Sequence, residues 1–156
     1  MPDVQAKRLV EMMDYVPPSL YLEASLLPIE SKKSFFKALS IEDIIVLPMD
    51  KMEVMIHDSE GSVFGYGLYG HYNDTPSILV ESISSKPAKR NDSKKYENMR
   101  ISMGKIMRRE LAEGKITPLH RDTNHDAILY KGSKVKAFAS LAQVGQKIAL
   151  HIREVH

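Results

Sequence analysis

Residues 52–72 constrain the fold of this chain more than any other stretch of its sequence. MEVMIHD (52–58) alternates apolar and polar residues, SEG (59–61) supplies a turn, and SVFGYGLYGHY (62–72) is rich in aromatic and β-branched residues. Period-two alternation around a glycine-containing turn predicts a β-hairpin. Three glycines, Gly65, Gly67 and Gly70, recur within the second strand. Glycines there mark a bulge or the close approach of another backbone or a ligand.

The apolar period changes after the hairpin. SILVESISS (77–85) alternates and predicts a third strand beside it. From Lys94 onward, apolar residues recur at a spacing that fits a helix ending before Gly114. This stripe consists of Tyr96, Met99, Met103, Ile106, Met107 and Leu111. The sequence therefore predicts a basic helix near residues 94–113.

The remaining segments complete an α+β prediction. Asp3 can cap a first helix that ends before Pro17 and Pro18, whereas residues 19–28 fit either a short strand or an apolar loop. The other predicted elements are a short helix at 32–39 and a strand at 115–120. A mixed tail follows, with segments 127–130 and 135–141 on either side of a turn at Lys131–Lys134, and a terminal segment with Val144, Ile148 and Ile152 at helical spacing. No internal repeat is evident. We expect one domain over residues 1–156, with N-terminal helices, an antiparallel three-strand meander, a central basic helix, a further strand and a mixed C-terminal tail.

Composition limits the classes of protein that the chain can belong to. Its 156 residues contain no cysteine, which excludes disulfides, thiolate metal sites and a cysteine nucleophile. No apolar run approaches the roughly 18 residues of a membrane span, and the N-terminus lacks the apolar core of a signal peptide. These features predict a cytoplasmic protein with no membrane partner.

Positive charge is concentrated in the middle of the chain. Residues 86–115 contain ten basic and four acidic residues, although the net charge of the whole chain is only +2. Such a segment is either a solvated helix face or a surface that binds phosphate groups. A domain without enzymatic activity could use residues 86–109 to bind nucleic acid or a partner protein.

The stretch from Asp58 to Tyr66, with its acidic turn, Gly61 and the run Val63-Phe64-Gly65, resembles the corresponding hairpin of the Gcn5-related N-acetyltransferase superfamily. The preceding segment VEMMDYVPPSLYLEASLLPIESKKSFFKAL is similar to the early helices of phage-type members. The resemblance covers about residues 8–111. It implies an acyl-CoA N-acyltransferase-like fold, acetyl-CoA as the cofactor, and a small-molecule or peptide amine as the acceptor.

The resemblance also implies roles for particular residues. Glu81, in the third strand, would be the general base, and Tyr130 would protonate the departing thiolate. Acetyl-CoA would lie against the backbone of Ile83 and Ser85, with its phosphates held by Lys89, Arg90 and Lys94. The family's pyrophosphate loop contains glycines at a helix N-terminus, but residues 86–95 contain none. Either the cofactor binds in another geometry, or binding is lost, or the family assignment is wrong.

A nuclease resembling ribonuclease H is the alternative enzyme. In that case Asp58, Glu97 and Asp122 would converge on two Mg²⁺ ions, and the basic segment would hold a nucleic-acid backbone. A zinc site is a weaker alternative, because His120 and His125 lack regular helical spacing and a clear third ligand. The sequence therefore leaves acyl transfer, nucleic-acid cleavage and binding without catalysis as competing hypotheses.

Overall fold

The computed structural model describes residues 20–27, 29–32, 35–86 and 96–156. Within these ranges the regular secondary structure is almost entirely β-strand, with one helical turn, α1 (Phe35–Ala38), and one 3-10 turn at Arg108–Glu110. The strands are β1 (Tyr21–Leu26), β2 (Ile29–Lys32), β3 (Ile44–Val46), β4 (Glu53–His57), β5 (Val63–Tyr72), β6 (Thr75–Lys86), β7 (Tyr96–Met107), β8 (Ile116–Pro118), β9 (Ala127–Lys131), β10 (Lys134–Val144) and β11 (Lys147–Val155). No helix in the described ranges has the length and apolar character needed to cross a membrane.

All eleven strands belong to one antiparallel sheet. Its order is β3-β11-β10-β9-β7-β1-β4-β5-β6-β8, and β2 continues the line of β1 along β7. Beyond β8, the backbone of His120 exchanges two hydrogen bonds with Lys105 of β7, of 2.9 and 2.7 Å. The sheet therefore curls until the segment after β8 reaches its central strand, with buried apolar side chains forming one core cluster inside.

The α+β prediction is wrong, and its central basic helix is the strand β7. The expected helical stripe contains Met99, Met103 and Met107, whose spacing of four residues fits a strand face as well as a helix face. Ile101 lies between the first two of these and is as deeply buried as they are, which is the period-two signature of a strand. The helix-bearing architecture implied by the acetyltransferase resemblance is wrong for the same reason.

A bulge in β7 also made its apolar pattern look helical. The register with β1 runs from Ala24↔Gly104 to Ser25↔Ser102, so Met103 is an extra residue on β7. Gly104 adopts φ +132°, a conformation that L side chains rarely adopt. The bulge moves Ile106 to the buried face although it is an odd number of residues from Met103.

Other predicted elements have mixed outcomes. The hairpin is confirmed as β4 and β5, and β6 pairs with it as expected. The strand at 115–120 is confirmed as β8. Residues 127–130 and 135–141, which the sequence left unassigned, belong to β9 and β10, and residues 21–26 form a strand rather than a loop. The helical interpretation of the tail is wrong, because residues 147–155 form β11. The predicted N-terminal helix lies outside the described residues.

The sheet has an internal two-fold pattern. The strands β1, β3, β4, β5 and β6 of the first half correspond to β7, β8, β9, β10 and β11 of the second. With this correspondence, the strand order reads the same from both ends. The repeat is therefore one of structure, since the sequence shows no corresponding repeat.

The correspondence extends to individual backbone contacts, between positions that are 72 residues apart. The pair Val46↔Ala149 joins β3 to β11, and its equivalent, Pro118↔Ser77, joins β8 to β6. Four hydrogen bonds flanking these strands match in the same way, including Leu47 N to Ile148 O and Leu119 N to Pro76 O, both 2.9 Å. Even the left-handed residues before β3 and β8, Glu42 at φ 77° and Gly114 at φ 81°, coincide.

The two halves exchange strands. β3 of the first half pairs with β11 of the second, and β8 of the second half pairs with β6 of the first. Each exchange forms a three-stranded corner. Corner A is formed by β10, β11 and β3, and corner B by β5, β6 and β8. The corners occupy opposite ends of the strand order, and they are equivalent in backbone but different in side chains.

Candidate functional site

The predicted catalytic pair does not form a site. Glu81 is exposed on β6, whereas Tyr130 lies on β9, which is not a neighbour of β6 in the sheet. Burial, aided by the negative charge of Glu23, raises the pKa of Tyr130 despite the opposing charge of Arg100. The raised pKa keeps the Tyr130 hydroxyl protonated near neutral pH. The described geometry provides no support for acyl transfer by this pair.

The predicted cofactor residues are only partly described. Ile83 is exposed on β6, and the backbone of Ser85 belongs to the same strand. Lys89, Arg90 and Lys94 lie outside the described residues, so acetyl-CoA binding there stays a prediction. The basic helix predicted to follow these residues is absent, because residues 96–107 form β7.

The carboxylates of the nuclease hypothesis have separate surroundings. Asp58 accepts hydrogen bonds from the amides of Glu60 (3.0 Å) and Ser62 (2.8 Å), so it stabilises the β4–β5 turn. Asp122 is exposed and lies 3.7 Å from Lys105 Nζ. Glu97 is on β7, with its side chain outside the described part of the structure. Among described residues, no three His, Asp or Glu side chains converge in a metal-binding arrangement.

A buried polar cluster joins three strands on the outer face of the sheet. Glu23 and Ser25 come from β1, His57 from β4 and Arg100 from β7. His57 donates from Nδ1 to the Asp58 carbonyl (2.8 Å), and its Nε2 lies 2.7 Å from Ser25 Oγ and 3.1 Å from Glu23 Oε2. Ser25 Oγ also lies 3.2 Å from that carboxylate oxygen, to which it donates.

Electrostatics in this cluster favour an ionised Glu23. Burial alone would raise its pKa, but the hydrogen bond from His57 and the charge of Arg100 outweigh burial, and the pKa is lowered from 4.5. Arg100 Nε lies 3.1 Å from Glu23 Oε2, without the alignment of a hydrogen bond, and the guanidinium sits 4.2 Å from the centre of the Tyr130 ring. The cluster therefore ties β1, β4, β7 and β9 together.

The cluster contains Ser, His and Glu, but it is not a catalytic triad. In a triad the imidazole meets the serine through one nitrogen and the carboxylate through the other. Here Ser25 and Glu23 both face Nε2 of His57, and Nδ1 is occupied by a backbone carbonyl. Ser25 is also 1% exposed, so its hydroxyl is out of reach of a substrate. This arrangement is structural.

A shallow cleft of about 70 Å³ lies beside the cluster, between β7 and the segment after β8. Glu23, Lys105, Asp122 and Tyr130 are among its lining residues. Pockets for drug-sized ligands are typically about 300–1,000 Å³. The cleft therefore has room for an ion or a few waters but not for an acyl-CoA.

Part of the described half of the basic segment is paired with carboxylates. Arg100 pairs with Glu23, Lys105 with Asp122, and Lys115 with Glu110. The hydrogen bond and charge of Lys115 lower the pKa of Glu110, which keeps that partner ionised. The guanidinium of Arg108 lies 4.7 Å from the centre of the Phe64 ring. The ion pairs of Arg100 and Lys105 reduce the net charge that residues 96–109 can offer to a nucleic acid.

Corner B presents a row of apolar side chains on its outer face. Leu68, Leu79 and Ile116 are direct cross-strand partners on β5, β6 and β8. Leu79 is 37% exposed and Ile116 41% exposed. Tyr72, farther along β5, is exposed as well. Scattered exposed apolar residues are ordinary, whereas contiguous apolar surface is the kind of surface on which partners dock.

Corner A shows that the fold does not require this row. The positions equivalent to Leu68, Leu79 and Ile116 are Ser140, His151 and Ile44. His151 Nε2 contacts Glu42 Oε2 at 2.9 Å, and Arg153 Nε donates to Ser140 Oγ at 3.2 Å. Because the same backbone accepts polar residues at two of the three positions, backbone geometry does not account for the apolar character of corner B.

The sequence reasoning missed both features. In YLEASL, Glu23 and Ser25 alternate with buried Leu22, Ala24 and Leu26, and this period of two is the signal in the sequence that indicates a strand. The row at corner B had no local signal, because Ile116 reaches Leu79 only through strand exchange. No protein-family model matches the chain, and no curated protein matches it.

Proposed function

We propose that this chain is a protein-binding domain without catalytic activity, and that a partner docks on the outer face of corner B. The observation that carries the proposal is the in-register row Leu68–Leu79–Ile116, whose counterpart in corner A is mostly polar. An apolar row of this kind gains free energy when a partner removes it from water, at about 25 cal/mol per Å² of apolar area.

The chemistry of the described residues supports binding over catalysis. The one Ser-His-Glu constellation identified is a buried structural cluster, and the cleft beside it is too small for a substrate of ordinary size.

Photo-crosslinking in cells tests the proposal. Benzoylphenylalanine is placed at position 79 in corner B and, as a matched control, at position 151 in corner A. We expect a discrete adduct with a protein other than a second copy of this chain from position 79, but no such adduct from position 151. Ile116→Lys in the position-79 protein should abolish that adduct, because a buried lysine without a partner disfavours docking.

Two results would contradict the proposal. One is the absence of an adduct from position 79 while the protein is folded by circular dichroism. The other is an adduct from position 79 that persists unchanged with Ile116→Lys, since that crosslink would not depend on the apolar row.

A further inference from the structure

Strand β3 forms one edge of the sheet, and among the described residues no strand pairs with its outer side. Leu47 N donates to Ile148 O and Ile152 N donates to Asp43 O, so the odd-numbered residues of this segment face β11. The N–H and C=O groups of Ile44 and Val46 consequently point away from β11. Their side chains are 56% and 44% exposed. An exposed edge of this kind is a template for another strand.

The equivalent edge in corner B is protected. Pro118 of β8 stands where β3 has Val46, and a proline has no N–H to donate. Prolines on edge strands prevent unwanted pairing with other chains. The fold therefore blocks one of its two equivalent edges, and β3 carries no such block.

We propose that β3 pairs antiparallel with β3 of a second copy of this chain, with Ile45 on the two-fold axis. In that register Ile44 of one copy lies opposite Val46 of the other, and both residues present the N–H and C=O groups that antiparallel pairing requires. Four backbone hydrogen bonds form, and the exposed apolar side chains meet across the axis.

The charges beside β3 are compatible with this self-pairing. Glu42 and Asp43 precede the strand, whereas Leu47 and Pro48 follow it. Antiparallel pairing places the acidic pair of each copy opposite the uncharged pair of the other, so no like charges face each other. The same surface therefore meets itself without repulsion. This interface is separate from the docking row in corner B and does not depend on it.

Sedimentation equilibrium of the full chain tests the proposal. We expect a reversible monomer–dimer equilibrium in the wild type. Val46→Pro gives β3 the residue that β8 already has, and Ile44→Lys adds a charge to the edge. Each should weaken dimerisation about tenfold or more. Ile116→Lys, the equivalent change on the blocked edge, should leave the dimer unchanged.

Specific outcomes would overturn the proposal. A wild type that stays monomeric across the accessible concentration range would do so. A dimer whose dissociation constant is unchanged in both β3 variants would also overturn it. A third such outcome is Ile116→Lys weakening the dimer as much as Ile44→Lys does. Thermal melts confirm that each variant is folded, and Ile44→Lys decides the case if Val46→Pro is unfolded. Ile116→Lys affects the proposed partner without affecting the dimer, so failures of the two proposals are distinguishable.

Discussion

Replacing Gly67 with alanine should destabilise the fold, whereas the same change at Gly70 should not. Both glycines lie on β5. A Cβ added at Gly67 would overlap the carbonyl oxygen of Leu79 and lie 2.7 Å from Ile78 Cγ2, but one added at Gly70 meets nothing within 4 Å. Overpacking of this kind costs about 1–3 kcal/mol. Replacing a glycine with alanine also lowers the conformational entropy of the unfolded chain, which raises the free energy of unfolding by about 0.4–1 kcal/mol. This contribution is the same in both variants.

The difference between the two variants therefore isolates the overlap. We expect Gly70→Ala to be as stable as the wild type or slightly more stable, and Gly67→Ala to be about 1–3 kcal/mol less stable than Gly70→Ala. Urea unfolding followed by far-ultraviolet circular dichroism measures both free energies of unfolding. Equal stability of the two variants would refute the close approach of β5 and β6 from which the prediction is derived.

Three further predictions concern the polar contacts. Because the folded pKa of Glu23 is lowered from 4.5, its ionised carboxylate stabilises the fold above that pH, and this contribution is lost as the pH falls through the folded pKa. Glu23→Gln should therefore be about 1–3 kcal/mol less stable than the wild type at pH 7, with a smaller difference in acid. Urea unfolding at both pH values measures the difference, and a difference that does not change with pH would contradict the prediction. Ser25 should not react with a fluorophosphonate probe, and mass-spectrometric detection of a Ser25 adduct would reinstate a nucleophile. Tyr69→Phe removes the hydroxyl that lies 3.2 Å from Arg121 Nη2 and should cost about 0.5–1.5 kcal/mol in urea unfolding, whereas an unchanged stability would make that hydrogen bond negligible.

Local patterns in the sequence predicted the hairpin because everything it depends on is local. The alternation in residues 52–58, the turn carboxylate Asp58 and the aromatic second strand all lie within one short segment. The close approach of another backbone, which the glycines of the second strand predicted, is found at two of the three positions. Gly65 and Gly67 mark a close approach to β6, while Gly70 has open space around it.

The helix predictions failed where the apolar spacing was ambiguous. Met99 and Met103 differ by four residues, and so do Ile148 and Ile152, a spacing that satisfies both a helix and a strand face. The decisive residues were those between them. Ile101 and Leu150 are fully buried and complete a period of two.

Strand exchange could not be predicted from local patterns at all. Equivalent positions in the two halves share few residues, among them Leu39 and Leu111, and Ile44 and Ile116. The pairing of β3 with β11 joins residues about a hundred positions apart, and periodicity contains no information about which strand will be the neighbour. Both proposed interaction surfaces arise from that exchange, which explains why sequence reasoning found neither.

The exchange of strands between the halves is the central claim, and disulfide trapping tests it most directly. The chain has no cysteine of its own, so engineered pairs report without background. Val46 and Ala149 are paired across β3 and β11, whereas a half that kept its own strand would place Val46 opposite Ser77. At low protein concentration, we expect Val46→Cys with Ala149→Cys to form an intramolecular disulfide, and Val46→Cys with Ser77→Cys to stay reduced. The reverse outcome on non-reducing gels would contradict the exchanged fold and, with it, both proposed surfaces.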